Sequence, residues 1–167
     1  VAIGVRWLSR KCSVVLYEFA TAADENPDVI GWAPEAGSVL IECKLSRSDF
    51  LKDAAKNVRK NPRAGMGQRR YYLSPPEVIQ VKDLPPKWGL LWVTNREVSV
   101  QREARGYPDR NLLAEVRFLS SMLRRAQVRI GSRPLSEWLR GENRFEAKRG
   151  VTPNRHQVTR ETNRTLP

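Results

Sequence analysis

The chain has 167 residues, 40% of them hydrophobic and 8% aromatic, which is enough for one sizeable core with an extension. Thirty Lys and Arg against eighteen Asp and Glu leave a net charge of +12, pointing to a polyanionic partner, nucleic acid before a membrane surface. Two isolated cysteines, Cys12 and Cys43, and a single histidine, His156, exclude a disulfide framework, a sequence-visible zinc site, a Ser-His-Asp triad and an HNH-type nuclease.

No stretch reaches transmembrane length and no signal peptide is evident, so the expectation is a reducing cytoplasm. The chain opens at Val1 rather than Met, which leaves open whether residues precede it.

Residues 2–11 predict a helix with Ile3, Trp7 and Leu8 inward, and residues 14–19 (VVLYEF) a strand carrying Glu18. Residues 21–26 are polar and read as a loop. Two apolar runs, 29–33 and 39–45, flank a turn with Pro34, Glu35, Gly37 and Ser38, a hairpin signal. Alternation along the second strand puts Val39, Ile41, Cys43 and Leu45 on one face, and Leu40, Glu42 and Lys44 on the other. Glu42 and Lys44 then stand about 6.6 Å apart along the strand. A turn centred near Glu35 and Ala36 brings Asp28 opposite Cys43 and Lys44.

Ser46 or Ser48 can cap a helix running through Asn57, with Asp49 in its first turn and Phe50, Leu51, Ala54, Ala55 and Val58 as its apolar face. Residues 61–68 form a loop whose glycines match no nucleotide-binding pattern. RRYYL enters a strand with one tyrosine ring in the core, EVIQV is a short edge segment, and residues 88–93 are a strand buried on both faces. Residues 97–101 pair back on it. Asp109 is the expected N-cap of a long helix through Leu112, Val116, Leu119 and Leu123. Residues 134–139 make a short second helix, and the segment beyond Gly141 is a disordered basic tail holding His156.

Two carboxylates and a backbone carbonyl make a hard-oxygen site suited to Mg²⁺. A neighbouring ammonium can orient a water and offset charge in a phosphoryl transition state. Pro27-Asp28, thirteen intervening residues and Glu42-Cys43-Lys44 resemble the active-site signature of the PD-(D/E)XK nuclease superfamily, in its small stand-alone phage and bacterial form, over residues 5–95. The alternative is an ordinary ion pair across one strand face, worth about 0.2–1 kcal/mol.

The resemblance implies an α/β protein, with a restriction-endonuclease-like mixed β-sheet core flanked by helices and a C-terminal helical extension. It divides the chain into a core at 1–108, helices at 109–140 that close the core or form an accessory module, and a tail at 141–167. The implied activity is Mg²⁺-dependent hydrolysis of phosphodiester bonds in DNA, with Mn²⁺ able to substitute, in a bacterial or phage-encoded cytoplasmic protein.

Asp28 and Glu42 would ligate the metal with the Cys43 carbonyl, Lys44 would position water, and Glu18 would be a third acid, on a strand where relatives use a helix. Lys52, Lys56, Arg59, Lys60, Arg63, Arg69 and Arg70 are expected to hold phosphates. Gln68 and Tyr72 match a Q-x-x-x-Y spacing of RecB-like members. A non-catalytic DNA- or RNA-binding protein on the same basic scaffold is the rival. Cutting both strands of a duplex would call for a homodimer, though nothing in the chain marks an interface.

Overall fold

A computed structural model gives the fold, and it describes residues 1–21, 25–35 and 37–131. The helix expected at 134–139, the basic tail and His156 lie outside the described residues. The chain divides into two compact units, Val1–Ser121 and Met122–Pro167. Among the described residues no helix is long and apolar enough to cross a membrane.

The first unit is an α/β fold built on a six-stranded mixed sheet. Helix α1 (Ala2–Ser9) precedes strands β1 (Val14–Tyr17), β2 (Val29–Ala33) and β3 (Gly37–Cys43). Helices α2 (Arg47–Ala54) and α3 (Asn57–Lys60) then lead to β4 (Arg69–Ser74), β5 (Gly89–Thr94) and β6 (Glu97–Arg102); helix α4 (Leu112–Arg129) begins in this unit and ends past its boundary at Ser121. Strand order follows the sequence, β1 to β6. Only the β3–β4 and β4–β5 pairs are parallel, so both need crossover connections: the first carries α2 and α3, the second a short 3₁₀ helix at Val81–Asp83.

Each face of the sheet buries its own set of residues. Val29, Val39, Ile41, Tyr71, Leu73 and Leu91 pack with Leu8 of α1 and form one core. The helix approaches closely because Gly4 offers no side chain; a Cβ there would meet Leu73 Cδ2 at 3.3 Å. Leu40, Glu42, Tyr72 and Leu90 are buried with Phe50, Val58, Met66 and Trp88. Tyr72 stacks on Trp88 at 4.4 Å and meets Phe50 edge-on at 5.0 Å. Both tyrosines of RRYYL are therefore buried, where one was expected.

Several local expectations shift. Ser46 is the cap of α2, its hydroxyl accepting from the Asp49 N–H, but the helix stops at Ala54 and restarts after an extended Lys56. Leu45 lies past the end of β3 and is exposed. EVIQV forms no strand; fully buried Ile79 sits in a turn whose carbonyl accepts from Trp92 Nε1. Asn111, not Asp109, caps α4, accepting from the Ala114 N–H at 2.9 Å. Buried Glu115 ties α4 to the hairpin, accepting from Trp32 Nε1, Ser38 Oγ, the Gly67 N–H and Arg110 Nε. Gly67 has φ +82°, and a Cβ there would strike Leu40 at 2.6 Å.

Candidate active site

The hairpin is the element that assembles the site. Its register, Val29↔Ile41 to Ala33↔Gly37, is one residue earlier than the sequence suggests and carries Asp28 towards Glu42. The Asp28 carboxylate nevertheless reaches the next peptide, accepting from the Cys43 N–H at 2.7 Å. Glu42 and Lys44 share a face as alternation requires, with Lys44 Nζ 3.1 Å from Glu42 Oε2. Asp28 lies within electrostatic reach of both. The sequence thus located three groups that the fold brings together.

It did not foresee how thoroughly they are covered. Glu42 is 1% exposed and Lys44 5%, because α2 and α3 lie over their face of the sheet. Asp28 alone of the three is half-buried. Glu42 and Lys44 are thus not open to solvent as ligand and water-positioning group. Approach from solvent is on the Asp28 side.

Three further residues complete the cluster. Asp53, on the inner face of α2, accepts from Tyr72 Oη at 2.8 Å and from Arg59 Nε at 2.7 Å. It also pairs with Lys56 at 2.8 Å and Lys44 at 3.6 Å. Arg59, on α3, spreads its guanidinium over three carboxylates: Asp53, Glu42 Oε1 at 2.9 Å, and Glu25 through a short ion pair. Glu25, buried ahead of β2, also accepts from the Met66 N–H at 2.6 Å. These acids come from a loop and from the last turn of a helix, where spacing carries little signal. The one hint available was that Asp53 falls in register with Phe50 on α2.

Glu18 is corrected as the third acid. It stands exposed beyond β1 at φ 54°, its backbone N–H donating to the Asp28 carbonyl. The additional acid beside the cluster is buried Glu25 instead. Arg59 and Arg70 are corrected as phosphate contacts. Arg59 is consumed by the acids, and fully buried Arg70 donates to the carbonyls of Pro62, Gly65 and Gly67 beneath the Tyr107 ring. Lys52, Lys56, Lys60, Arg63 and Arg69 are exposed, Arg63 pairing with Asp109 at 3.6 Å. Gln68 is half-buried, its backbone bonded to Ser38 Oγ and the Tyr107 N–H, and Tyr72 lies on a strand.

Electrostatics set the protonation states. Burial pushes Glu42 up to about 7; the cations of Arg59 and Lys44 offset only part of the lost hydration, and Asp53 and Asp28 add to the rise. Asp53 is also buried, but its bonds to Arg59 and Lys56 outweigh that and hold it well below the usual carboxylate range. Burial pulls Lys44 down, yet Glu42 and Asp53 together hold it above its ordinary value, so it is protonated at neutral pH.

Within the acid–lysine cluster one buried atom is left over; Arg70 Nη1 and Ser74 Oγ are the others among the described residues. Glu42 Oε1 is buried without a hydrogen bond, since Arg59 lies at ion-pair distance but is not aligned to donate. A free lone-pair site on a buried carboxylate beside a second carboxylate fits a hard dication. Among the described residues no three His, Cys, Asp or Glu side chains are grouped to hold a metal. Asp28 and Glu42 would thus be a two-carboxylate site, the number Mg²⁺ commonly uses alongside waters and substrate phosphate.

No protein-family model matches the chain, and no curated protein matches it. Among solved structures, it is similar to a protein of unknown function from Silicibacter pomeroyi, with 27% identity and a TM-score of 0.56 over 78% of this chain and 89% of that one. The likeness supports the α/β mixed-sheet fold.

Proposed function

We propose that the chain is a divalent-metal-dependent nuclease of PD-(D/E)XK type that hydrolyses phosphodiester bonds in DNA. The observation that carries this is the meeting of Asp28, Glu42 and Lys44 at one end of the β2–β3 hairpin, with Glu42 Oε1 buried and without a hydrogen bond. In this reading Asp28 and Glu42 hold Mg²⁺ or Mn²⁺, with the Cys43 carbonyl as a third oxygen. The ion would supply charge neutralisation and a more acidic bound water.

The protein's own groups do the rest. Glu42, pushed up to about 7, gives up its proton before it can ligate. Lys44 stays protonated, holds Glu42 in place at 3.1 Å, and offers positive charge to the developing phosphoryl oxygens. Arg59 pairs with Glu25, Asp53 and Glu42 together and so offsets the repulsion among the gathered acids. Exposed Lys52, Lys56, Lys60, Arg63 and Arg69 hold the phosphate backbone without reading its sequence.

A second reading is favoured by the burial of Glu42 and Lys44 and by Arg59 supplying their counter-charge: a DNA- or RNA-binding module in which the cluster only holds the fold. A divalent-metal titration separates the two. The nuclease reading expects Mg²⁺- or Mn²⁺-dependent cutting of plasmid or single-stranded DNA, abolished by Lys44→Ala while binding persists. A Lys44→Ala protein that cuts as fast as its parent refutes the assignment. Binding with no cutting under any divalent metal selects the module.

A further inference from the structure

A cavity of about 480 Å³ opens between α3, the turn that follows it, and the segments around Pro85 and Tyr107. That volume suits a single small-molecule-sized group. Its walls are mostly apolar and stiff, because Pro62, Pro85, Pro86 and Pro108 all line it. Tyr107 adds an aromatic wall, fixed by its hydroxyl on the Pro86 carbonyl and by Arg70 4.5 Å from its ring centre. Three exposed cations, Lys60, Arg63 and Lys87, stand around these walls, and Lys87 Nζ lies 5.2 Å from the Tyr107 ring centre. Among the described residues the one acid on the lining, Asp109, is paired with Arg63. Arg59 lines the cavity and also touches Glu42, so the cavity adjoins the acid–lysine cluster through one side chain.

Rigid apolar walls ringed by cations fit a flat, weakly polar group that carries a negative charge. We propose that this cavity takes one unpaired nucleotide of a nucleic-acid strand, its base between the proline and tyrosine walls and its phosphates on Lys60, Arg63 and Lys87. A duplex keeps its base faces stacked away and would engage the rim cations alone. A single strand offers base face and phosphate together, the combination that stacking sites use. The assignment rests on the nucleic-acid reading above for the class of partner, but not on cleavage.

The test measures binding of the full chain in EDTA, by fluorescence anisotropy, to a labelled oligothymidylate of about twelve nucleotides and to a blunt duplex of equal length. The single strand is expected to bind about tenfold tighter than the duplex, the scale of one stacked base. Lys87 has φ 65°, which Asn adopts readily, so Lys87→Asn removes the charge without adding backbone strain. Lys87→Asn and, independently, exposed Arg63→Gln should weaken both substrates. Tyr107→Leu, which removes the aromatic wall, should instead weaken the single strand several-fold more than the duplex, with thermal melting showing that the variant is folded. Equal affinity of the parent for the two substrates, or equal loss on both from the folded Tyr107→Leu chain, overturns the proposal. Lys44-dependent cutting without strand preference would sink the cavity assignment alone. Strand preference without cutting under any metal would sustain it and remove the nuclease reading.

Discussion

Replacing Glu42 with Gln distinguishes an acid kept for chemistry from an ion pair kept for stability. A carboxyl that rises from 4.5 to about 7 on folding has lost about 3 kcal/mol of differential stabilisation of its charged form. Below pH 4.5 the group is protonated in both the folded and the unfolded chain, and Gln and Glu are equivalent. As pH climbs through 7 the folded parent must ionise a buried group, and that contribution to its stability is lost.

Glu42→Gln should therefore match the parent near pH 4.5 and exceed it by up to about 3 kcal/mol at pH 8, roughly 6–12 °C in melting temperature for a chain of this size. Arg59 still has Glu25 and Asp53 in the variant, and Lys44 still has Asp53, so no cation is stranded. Urea denaturation at the two pH values in EDTA reads the difference directly. Adding Mg²⁺ at pH 8 should stabilise the parent and leave the variant unmoved. A variant less stable than its parent at pH 8 would mean that the ion pairs outweigh the lost hydration, and the reasoning that makes Glu42 a functional acid fails.

Asp53→Asn should do the opposite, destabilising by about 3–5 kcal/mol at pH 7 because buried Arg59 and Lys44 lose a shared anion. Since the folded-state value of Asp53 is depressed, its contribution is present above pH 3.8 and fades as pH falls further, so parent and variant should converge in acid unfolding curves. Glu18→Gln should leave metal-dependent cutting within about twofold, for its exposed side chain sits outside the cluster, while Glu25→Gln should lower the denaturation midpoint; a large rate loss at Glu18 would restore it as a catalytic acid. Lys52→Ala should reduce the slope of log binding constant against log salt by about 0.9 on duplex DNA, and an unchanged slope would take Lys52 off the phosphate path.

The hairpin and the sharing of one face by Glu42 and Lys44 were legible because both depend on a two-residue period and a short turn, which are local. What escaped was set by contacts distant in sequence. Glu25 reads as one more polar loop residue until Met66 and Arg59, from beyond β3, close over it. Gly4 reads as a weak point in a helix until Leu73 and Val29 show why no side chain fits there. EVIQV has strand-like residues, but Ile79 is drawn into the core and its carbonyl is taken by Trp92, which leaves no ladder to join. The covering of the site follows from α2 and α3 together; they follow β3 directly in the chain, but spacing within a helix does not say which face of the sheet it will settle on.

The fate of Arg59 shows how a basic run can divide between surface and interior. A helix continuing from Phe50 and Asp53 would turn residue 57 inward next, leaving Arg59 outside with its neighbours. Lys56 instead takes an extended conformation, the helical phase resets, and Val58 and Arg59 point in while Asn57 and Lys60 stay exposed. One irregular residue thus moves a guanidinium from the solvent face to the centre of three carboxylates. Its forked donors suit that place better than an ammonium would, since separate nitrogens meet Glu25, Glu42 and Asp53 at once. With that internal counter-ion the acids can be buried before any dication arrives. The fold should then stand without metal, and dependence on metal should show in turnover and in the pH response of Glu42, not in whether the chain folds.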